Sequence, residues 1–280
     1  MDSLASDWEA FNKNYGDILY KFDKKPEKVI NKDKDIVRKV EIPKLEYHIS
    51  TMTVMYNIDS DLNPKDIDKY CLENIKDLNT DKVKLVSVDV HESTPSKNRQ
   101  TGFYFFTTYK LESLGKIIPV KIFNHGMFHM TGIQSEEQGD FACDFLMGIV
   151  SKVLGKEIRM LSKNTAMINC NYKIGFKIKR QTLMEILKRD YKVHCMFDAC
   201  NYPGVLVKVL WNKNKNGICG CEKSCKISDK SSKRVCPCVT VAIFGTGSFN
   251  ITGAKSMDQV SEIADWIIGL LVRERVEIEN

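Results

Sequence analysis

The chain has 280 residues, 43% of them hydrophobic, and a formal charge of +6 from 42 Lys and Arg against 36 Asp and Glu. That is enough apolar material for one large core or two small ones, and the mild basic excess permits a polyanionic partner without requiring one. No apolar run reaches the roughly 18 residues that a membrane helix needs. The opening MDSLASDWEAFNK lacks the basic start and apolar stretch of a secretory signal. A reducing compartment is therefore expected, with the scattered Cys71, Cys143, Cys170, Cys195 and Cys200 as buried thiols.

Residues 1–40 are charged, with KKPEKVINKDKD at their centre, and are expected to form an arm outside the core. Two units follow, at 41–160 and 161–280. Alternation and turn residues predict first strands at Ile49–Ile58 and Ala166–Ile174. Short helices are predicted at Asn63–Asn74 and Lys179–Lys188. Second strands are expected at Lys82–Val90 and Val193–Phe197, and third strands at Gly102–Leu111 and Gly204–Trp211.

Each unit then runs into the same stretch. Val120–Gln138 reads VKIFNHGMFHMTGIQSEEQ and Val241–Gln259 reads VAIFGTGSFNITGAKSMDQ, identical at nine of nineteen positions without a gap and 121 residues apart. A pattern repeated at that spacing marks one structural unit used twice. Each copy reads as strand, turn at Gly126 or Gly247, and strand. Val120, Ile122, Phe128 and Met130 share one face, as do Val241, Ile243, Phe249 and Ile251, so that face covers a core. The other face carries Lys121, Phe123, His129 and Thr131 in one copy and Ala242, Phe244, Asn250 and Thr252 in the other.

Ser135-Glu-Glu-Gln138 and Ser256-Met-Asp-Gln259 fit capping boxes, and an apolar helical stripe follows each. The predicted fold class is α+β: an antiparallel sheet from two repeats, helices on one side, the mixed face left open.

A cysteine-rich insert at 212–238 interrupts the second unit alone. Cys219, Cys221, Cys225, Cys236 and Cys238 flank a polar loop, and four of these thiolates could hold a structural zinc ion. Free thiols or disulfides are the alternatives. Seven Lys and Arg against Glu222 and Asp229 would also suit phosphate contact, although a solvated loop is the commoner explanation. Two enzymatic readings fail. Gly245-Thr-Gly247 has Asn250 at the third glycine of a dinucleotide loop, and a strand rather than a helix follows. His194 and Cys195 are strand neighbours whose side chains point to opposite faces, which rules them out as a catalytic pair.

The ordered pair of motifs Ile122-Phe123…Thr131-Gly132 and Ile243-Phe244…Thr252-Gly253-Ala254-Lys255, with Tyr202-Pro203-Gly204 before a third strand, resembles the TATA-box-binding protein family over roughly Glu41–Glu274. The resemblance implies a pseudo-symmetric saddle: a curved antiparallel sheet with helices on its convex side. It implies a non-enzymatic initiation factor that binds the minor groove of A·T-rich promoter DNA, bends it, and recruits a transcription factor IIB-like factor and the RNA polymerase machinery. No cofactor is required.

By that likeness Phe123, Phe244 and Tyr202 are wedges between base steps. The fourth wedge position falls on Gln100, with Phe103 the nearest aromatic. Thr131 and Thr252 would bond base acceptors, and Lys208 and Lys121 would reach phosphates. His129, Asn169 and Asn250 stand where the family's valines line the saddle, and Tyr47 and Met167 replace its central asparagines. Asp140 and Asp144 replace a basic helix surface, and Asp198 alone remains of an acidic contact.

The Lys/Asn-rich composition and the cysteine insert resemble versions encoded by large DNA viruses, which implies a nucleus or a cytoplasmic viral factory as the workplace. The alternatives are a saddle that has given up strong DNA binding for protein interaction and, behind it, a metal-dependent scaffold centred on the insert.

Overall fold

The computed structural model describes residues 45–90, 106–212, 217–218 and 236–280. Gln100, Phe103, Cys219, Cys221, Cys225 and the 1–40 arm lie outside these. The first unit runs β1 (Tyr47–Ile58), α1 (Pro64–Asn74), β2 (Val83–Val90), β3 (Phe106–Ser113), β4 (Lys116–Phe123), β5 (Met127–Ile133) and α2 (Glu136–Leu154). The second runs β6 (Met160–Lys173), α3 (Arg180–Arg189), β7 (Cys195–Asp198), β8 (Tyr202–Asn212), the short β9 (Gly217–Ile218), β10 (Cys238–Phe244), β11 (Ser248–Ala254), α4 (Met257–Arg273) and a final turn, α5 (Arg275–Ile278).

All strands join one antiparallel sheet in the order β2-β3-β4-β5-β1-β6-β11-β10-β8-β7, with β9 beside β8. The order reads the same from both ends once each strand is exchanged for its counterpart in the other unit. The first strands β1 and β6 meet at the centre, so a pseudo-two-fold axis passes between them, through the paired Met52 and Ile168.

Alternation decides the faces. Met52, Val54, Tyr56, Ile118, Val120, Ile122, Phe128 and Met130 are buried in one unit. Ile168, Cys170, Val205, Val207, Val241, Ile243, Phe249 and Ile251 are buried in the other. These residues form a single core with Leu146, Ile149 and Val150 of α2 and Ile263, Ile267 and Leu271 of α4. The helices therefore cover one face, and the other face is open. At about 25 cal/mol per Å² of apolar area removed from water, this burial is the main term holding sheet and helices together.

The duplicated motif has a local cause at each conserved position. Gly126 and Gly247 close the hairpins at φ 74° and 84°. A side chain there would also collide, since a Cβ would lie 2.3 Å from the Ser60 carbonyl oxygen or 2.0 Å from that of Phe176. Gly132 and Gly253, at φ 79° and 86°, are the extra residues of two matching bulges, where the register skips from Met52–Ile133 to Thr53–Thr131 and from Asn169–Thr252 to Ile168–Ala254.

Ser135 accepts from the Gln138 amide at 3.1 Å, and Gln138 Oε1 accepts from the Gln134 amide at 2.8 Å. Ser256 and Gln259 repeat the arrangement at 3.2 and 2.7 Å. Each helix thus starts with one of its otherwise unpaired amides satisfied by the cap, while the glutamine satisfies the amide just before the cap.

Four cysteines are buried as expected, but Cys200 is exposed. It lies in the β7–β8 turn, where its amide donates to Asp198 Oδ1 at 3.0 Å. Burial pushes the Cys71 and Cys143 thiols up to about 12 and those of Cys170 and Cys195 to about 11. None of the four is a thiolate nucleophile at neutral pH.

Candidate nucleic-acid interface

Phe123 ends β4 and Phe244 ends β10, and both side chains lie on the open face because their neighbours Ile122 and Ile243 are inward. Each has an aromatic companion across the hairpin. In the second unit Tyr202 stands beside Phe244, with ring centroids 6.0 Å apart. Gly204 lies directly opposite Phe244, and a Cβ there would come within 2.9 Å of the Tyr202 ring and 3.1 Å of the Phe244 ring. The glycine is what lets the two rings sit side by side. Arg180 braces this end: its Nη1 donates to the Pro203 carbonyl at 2.5 Å and its guanidinium packs over Phe197.

In the first unit the companion of Phe123 is Phe106, directly opposite it in the β3–β4 register and 5.5 Å away between centroids. Sequence reasoning did not single out Phe106, which holds the register place of Gly204 rather than that of Tyr202; Gln100 and Phe103, read as the first-unit wedge position, lie outside the described residues. The available signal was the two-residue Leu114-Gly115 turn, which pairs Ser113 with Lys116 and, counted back through the hairpin, pairs Phe106 with Phe123. Lys121 Nζ lies 4.8 Å over the Phe106 ring.

Between the aromatic pairs the open face is polar. One cross-strand row reads Lys208, Thr240, Thr252, Asn169, Thr51. Lys208 Nζ donates to Thr240 Oγ1 at 2.8 Å, and Asn169 Oδ1 accepts from the Gly253 amide at 3.2 Å, which fixes the amide and turns its NH2 away from that bond. The next row outward is Leu206, Ala242, Asn250, Asn171, His48.

In the first unit Thr131 faces Thr53, and the outer row is Thr108, Lys121, His129, Met55, Asn164. His129 is held below the ordinary imidazole pKa by burial and by the Lys121 ammonium, so it is neutral at pH 7. Every DNA-contact candidate read from the sequence that falls among the described residues (Phe123, Phe244, Tyr202, Thr131, Thr252, His129, Asn250, Lys121, Asn169 and Lys208) therefore shares this face.

Three readings change. Thr51, rather than Tyr47, stands symmetric to Met167 about the central axis; Tyr47 begins β1, exposed, with its ring tilted against that of Tyr172 at 5.8 Å. Asp140 has an internal role: it accepts from the Tyr56 hydroxyl at 2.9 Å and pairs with Lys163 at 2.8 Å. Asp198 is engaged in its own turn, accepting from Asn201 Nδ2 at 2.7 Å.

Of the insert cysteines, Cys236 is buried, with Asn212 Nδ2 3.3 Å from its sulfur, and Cys238 is half-buried at the start of β10. No group of three or more potential metal ligands occurs among the described residues.

A two-unit antiparallel sheet with a helix-covered face and aromatic pairs at both ends of its open face defines a class of α+β proteins built by duplication. Residues 165–273 match the sequence model of the family described as Transcription factor TFIID (or TATA-binding protein, TBP). The match covers the second unit, and the internal repeat carries the same pattern into the first. The chain is similar to that family over its second unit, as a divergent relative. Comparison with curated protein sequences returns no match. Among solved structures it is similar to Methanococcus jannaschii TBP, at 15% identity and a TM-score of 0.47 over 81% of this chain and 99% of that one.

Proposed function

We propose that this protein is a transcription initiation factor whose open face binds the minor groove of A·T-rich duplex DNA and bends it. The observation that supports this reading most is an aromatic pair at each end of the open face, Phe123 with Phe106 and Phe244 with Tyr202. Aromatic wedges at two base steps kink a duplex, and the unstacking cost of a few kcal/mol per step is offset by the wrapped surface; this family is itself a standing example of that mode.

Thr131, Thr252 and the Asn169 NH2 offer donors to adenine N3 and thymine O2, the acceptors that A·T pairs present there. Lys121 and Lys208 supply cations for phosphates. The work is binding without catalysis: the bent complex recruits a transcription factor IIB-like factor and the polymerase machinery, in a nucleus or a viral factory.

The alternative, a protein-interaction role without DNA, draws its support from the wedge position at Gln100 and from the polar saddle, and bending separates the two readings. The test is a fluorescence-transfer bending assay on A·T-rich and G·C-rich duplexes at fixed salt. Bending of the A·T-rich duplex, reduced in Phe123→Ala and Phe244→Ala, is the expected result. Equal behaviour of both duplexes, or wild-type bending in both variants, refutes the reading. The insert is proposed as a structural zinc site, and purified protein carrying no zinc by elemental analysis refutes it.

A further inference from the structure

The two halves of the open face offer different hydrogen-bonding groups at equivalent places. Equivalence is fixed by register: Lys121, His129 and Met55 are successive cross-strand neighbours in the first unit, as Ala242, Asn250 and Asn171 are in the second. The rows run on to Thr108 and Leu206 at one end and to Asn164 and His48 of the other unit's first strand at the other, and the three inner positions carry the contrast argued below.

Their chemistry is opposed. Lys121 has three N–H donors and no acceptor, and Met55 adds only a weakly accepting thioether. His129 adds a single ring acceptor beside that ammonium. Asn171 and Asn250 each carry a carbonyl oxygen with two lone pairs as well as an NH2. Neither side chain is hydrogen-bonded to another described residue, and both are half-buried on the open face. The short Ala242 beside them brings no cation.

In the minor groove an A·T pair shows acceptors only, whereas a G·C pair adds the guanine N2 amino donor. Beside the Lys121 ammonium and the Met55 thioether that amino group finds at most the single His129 acceptor, and a groove donor left desolvated and unpaired weakens binding. An amide can accept from it and still donate to a neighbouring N3 or O2.

We propose that the second-unit half of the open face accepts a G·C pair through Asn171 and Asn250, while the first-unit half requires A·T. The inference rests on the minor-groove reading above and specifies its substrate: an asymmetric site, A·T-rich with a G·C pair permitted in one half. Because the protein can enter a duplex in either direction, a lone G·C pair turns it so that the second unit lies over that pair.

The experiment uses the full chain and three duplexes at one salt concentration. They carry A·T throughout, one G·C pair in one half, or G·C pairs at matching places in both halves. The first two are expected to bind within about 3-fold of each other and the third at least about 10-fold more weakly, the size of one unpaired groove donor. Inosine in place of guanine removes the amino group and is expected to restore the third.

Asn171→Val with Asn250→Val is expected to weaken the second duplex at least about 10-fold more than it weakens the A·T duplex, with an unchanged circular-dichroism spectrum showing that the variant is folded. If the variant loses the A·T duplex as well, the wild-type series alone decides. A wild type that loses about 10-fold or more on a single G·C pair, or that tolerates both halves equally, overturns the inference and leaves the minor-groove reading standing. A wild type that fails to bind the A·T duplex overturns both.

Discussion

Two pairs of glycines separate backbone strain from lack of space. Gly126 and Gly247 have both problems: a positive φ and a carbonyl oxygen where a Cβ would go. Gly132 and Gly253 have only the first, since nothing lies within 4 Å of a Cβ built there. Gly247→Ala and Gly126→Ala are therefore expected to lose about 2 kcal/mol or more, because the hairpin must shift away from the carbonyl. Gly132→Ala and Gly253→Ala are expected to lose about 1 kcal/mol, the ordinary penalty of a left-handed conformation for an L residue. Urea denaturation with an unchanged m-value reads both, and equal losses in the two pairs would refute the distinction. Phe106 teaches a related lesson about single residues. An isolated Phe on a strand carries no sign of its role, and only the pairing across the Leu114-Gly115 turn shows that it stands against Phe123.

At the scale of elements, each long helix depends on its cap. Ser135→Ala and Ser256→Ala are each expected to cost about 1 kcal/mol, and the double variant the sum, because the caps belong to different units and share no partner. A second element-scale joint docks α1 on β3. Asp68 is 5% exposed; it accepts from Thr107 Oγ1 at 2.8 Å and from the Tyr109 hydroxyl. Asp68→Ala leaves two buried hydroxyls unpaired and is expected to cost about 3 kcal/mol, with Asp68→Asn milder; thermal unfolding of the two variants checks the order. These two features differ in how far the sequence exposed them. The caps, hairpins, face assignment and repeat were legible because each is written in residues a few positions apart. The Asp68 joint spans 39 and 41 positions, and Asp140 reaches back 84 positions to Tyr56. Nothing local marks those carboxylates as bonded within the fold, so the Tyr56 and Lys163 partners of the half-exposed Asp140 were not legible. The central positions failed for another reason: matching bulges in β1 and β6 shift the count, and Thr51 rather than Tyr47 reaches the axis.

At the scale of the whole molecule, each unit carries one depressed histidine among the described residues, and together they set an acid limit on stability. His129 lies between β4 and β1, lowered first by burial and then by Lys121. His194 precedes β7, lowered first by burial and then by Lys208 and Lys188. A histidine whose folded pKa lies below its unfolded value of about 6.5 binds a proton more readily in the unfolded chain. Acidification through that value therefore favours unfolding, and the stability is fully present only above it. The slope is at most about 1.4 kcal/mol per pH unit for each histidine, and the share of His129 is smaller because solvent on the open face screens it. Stability by urea denaturation is expected to be level near pH 7.5 and to fall below about pH 6.5. His129→Gln with His194→Gln is expected to flatten that limb, since glutamine keeps a polar group at each place and takes up no proton. A double variant with the same acid limb as wild type would place the sensitivity in the carboxylates instead. DNA bound on the open face adds a second signature, because the polyanion favours His129 protonation and offsets part of the loss. The acid limb of the complex should therefore begin at lower pH than that of the free protein, and His129→Gln should remove that difference while His194→Gln leaves it in place.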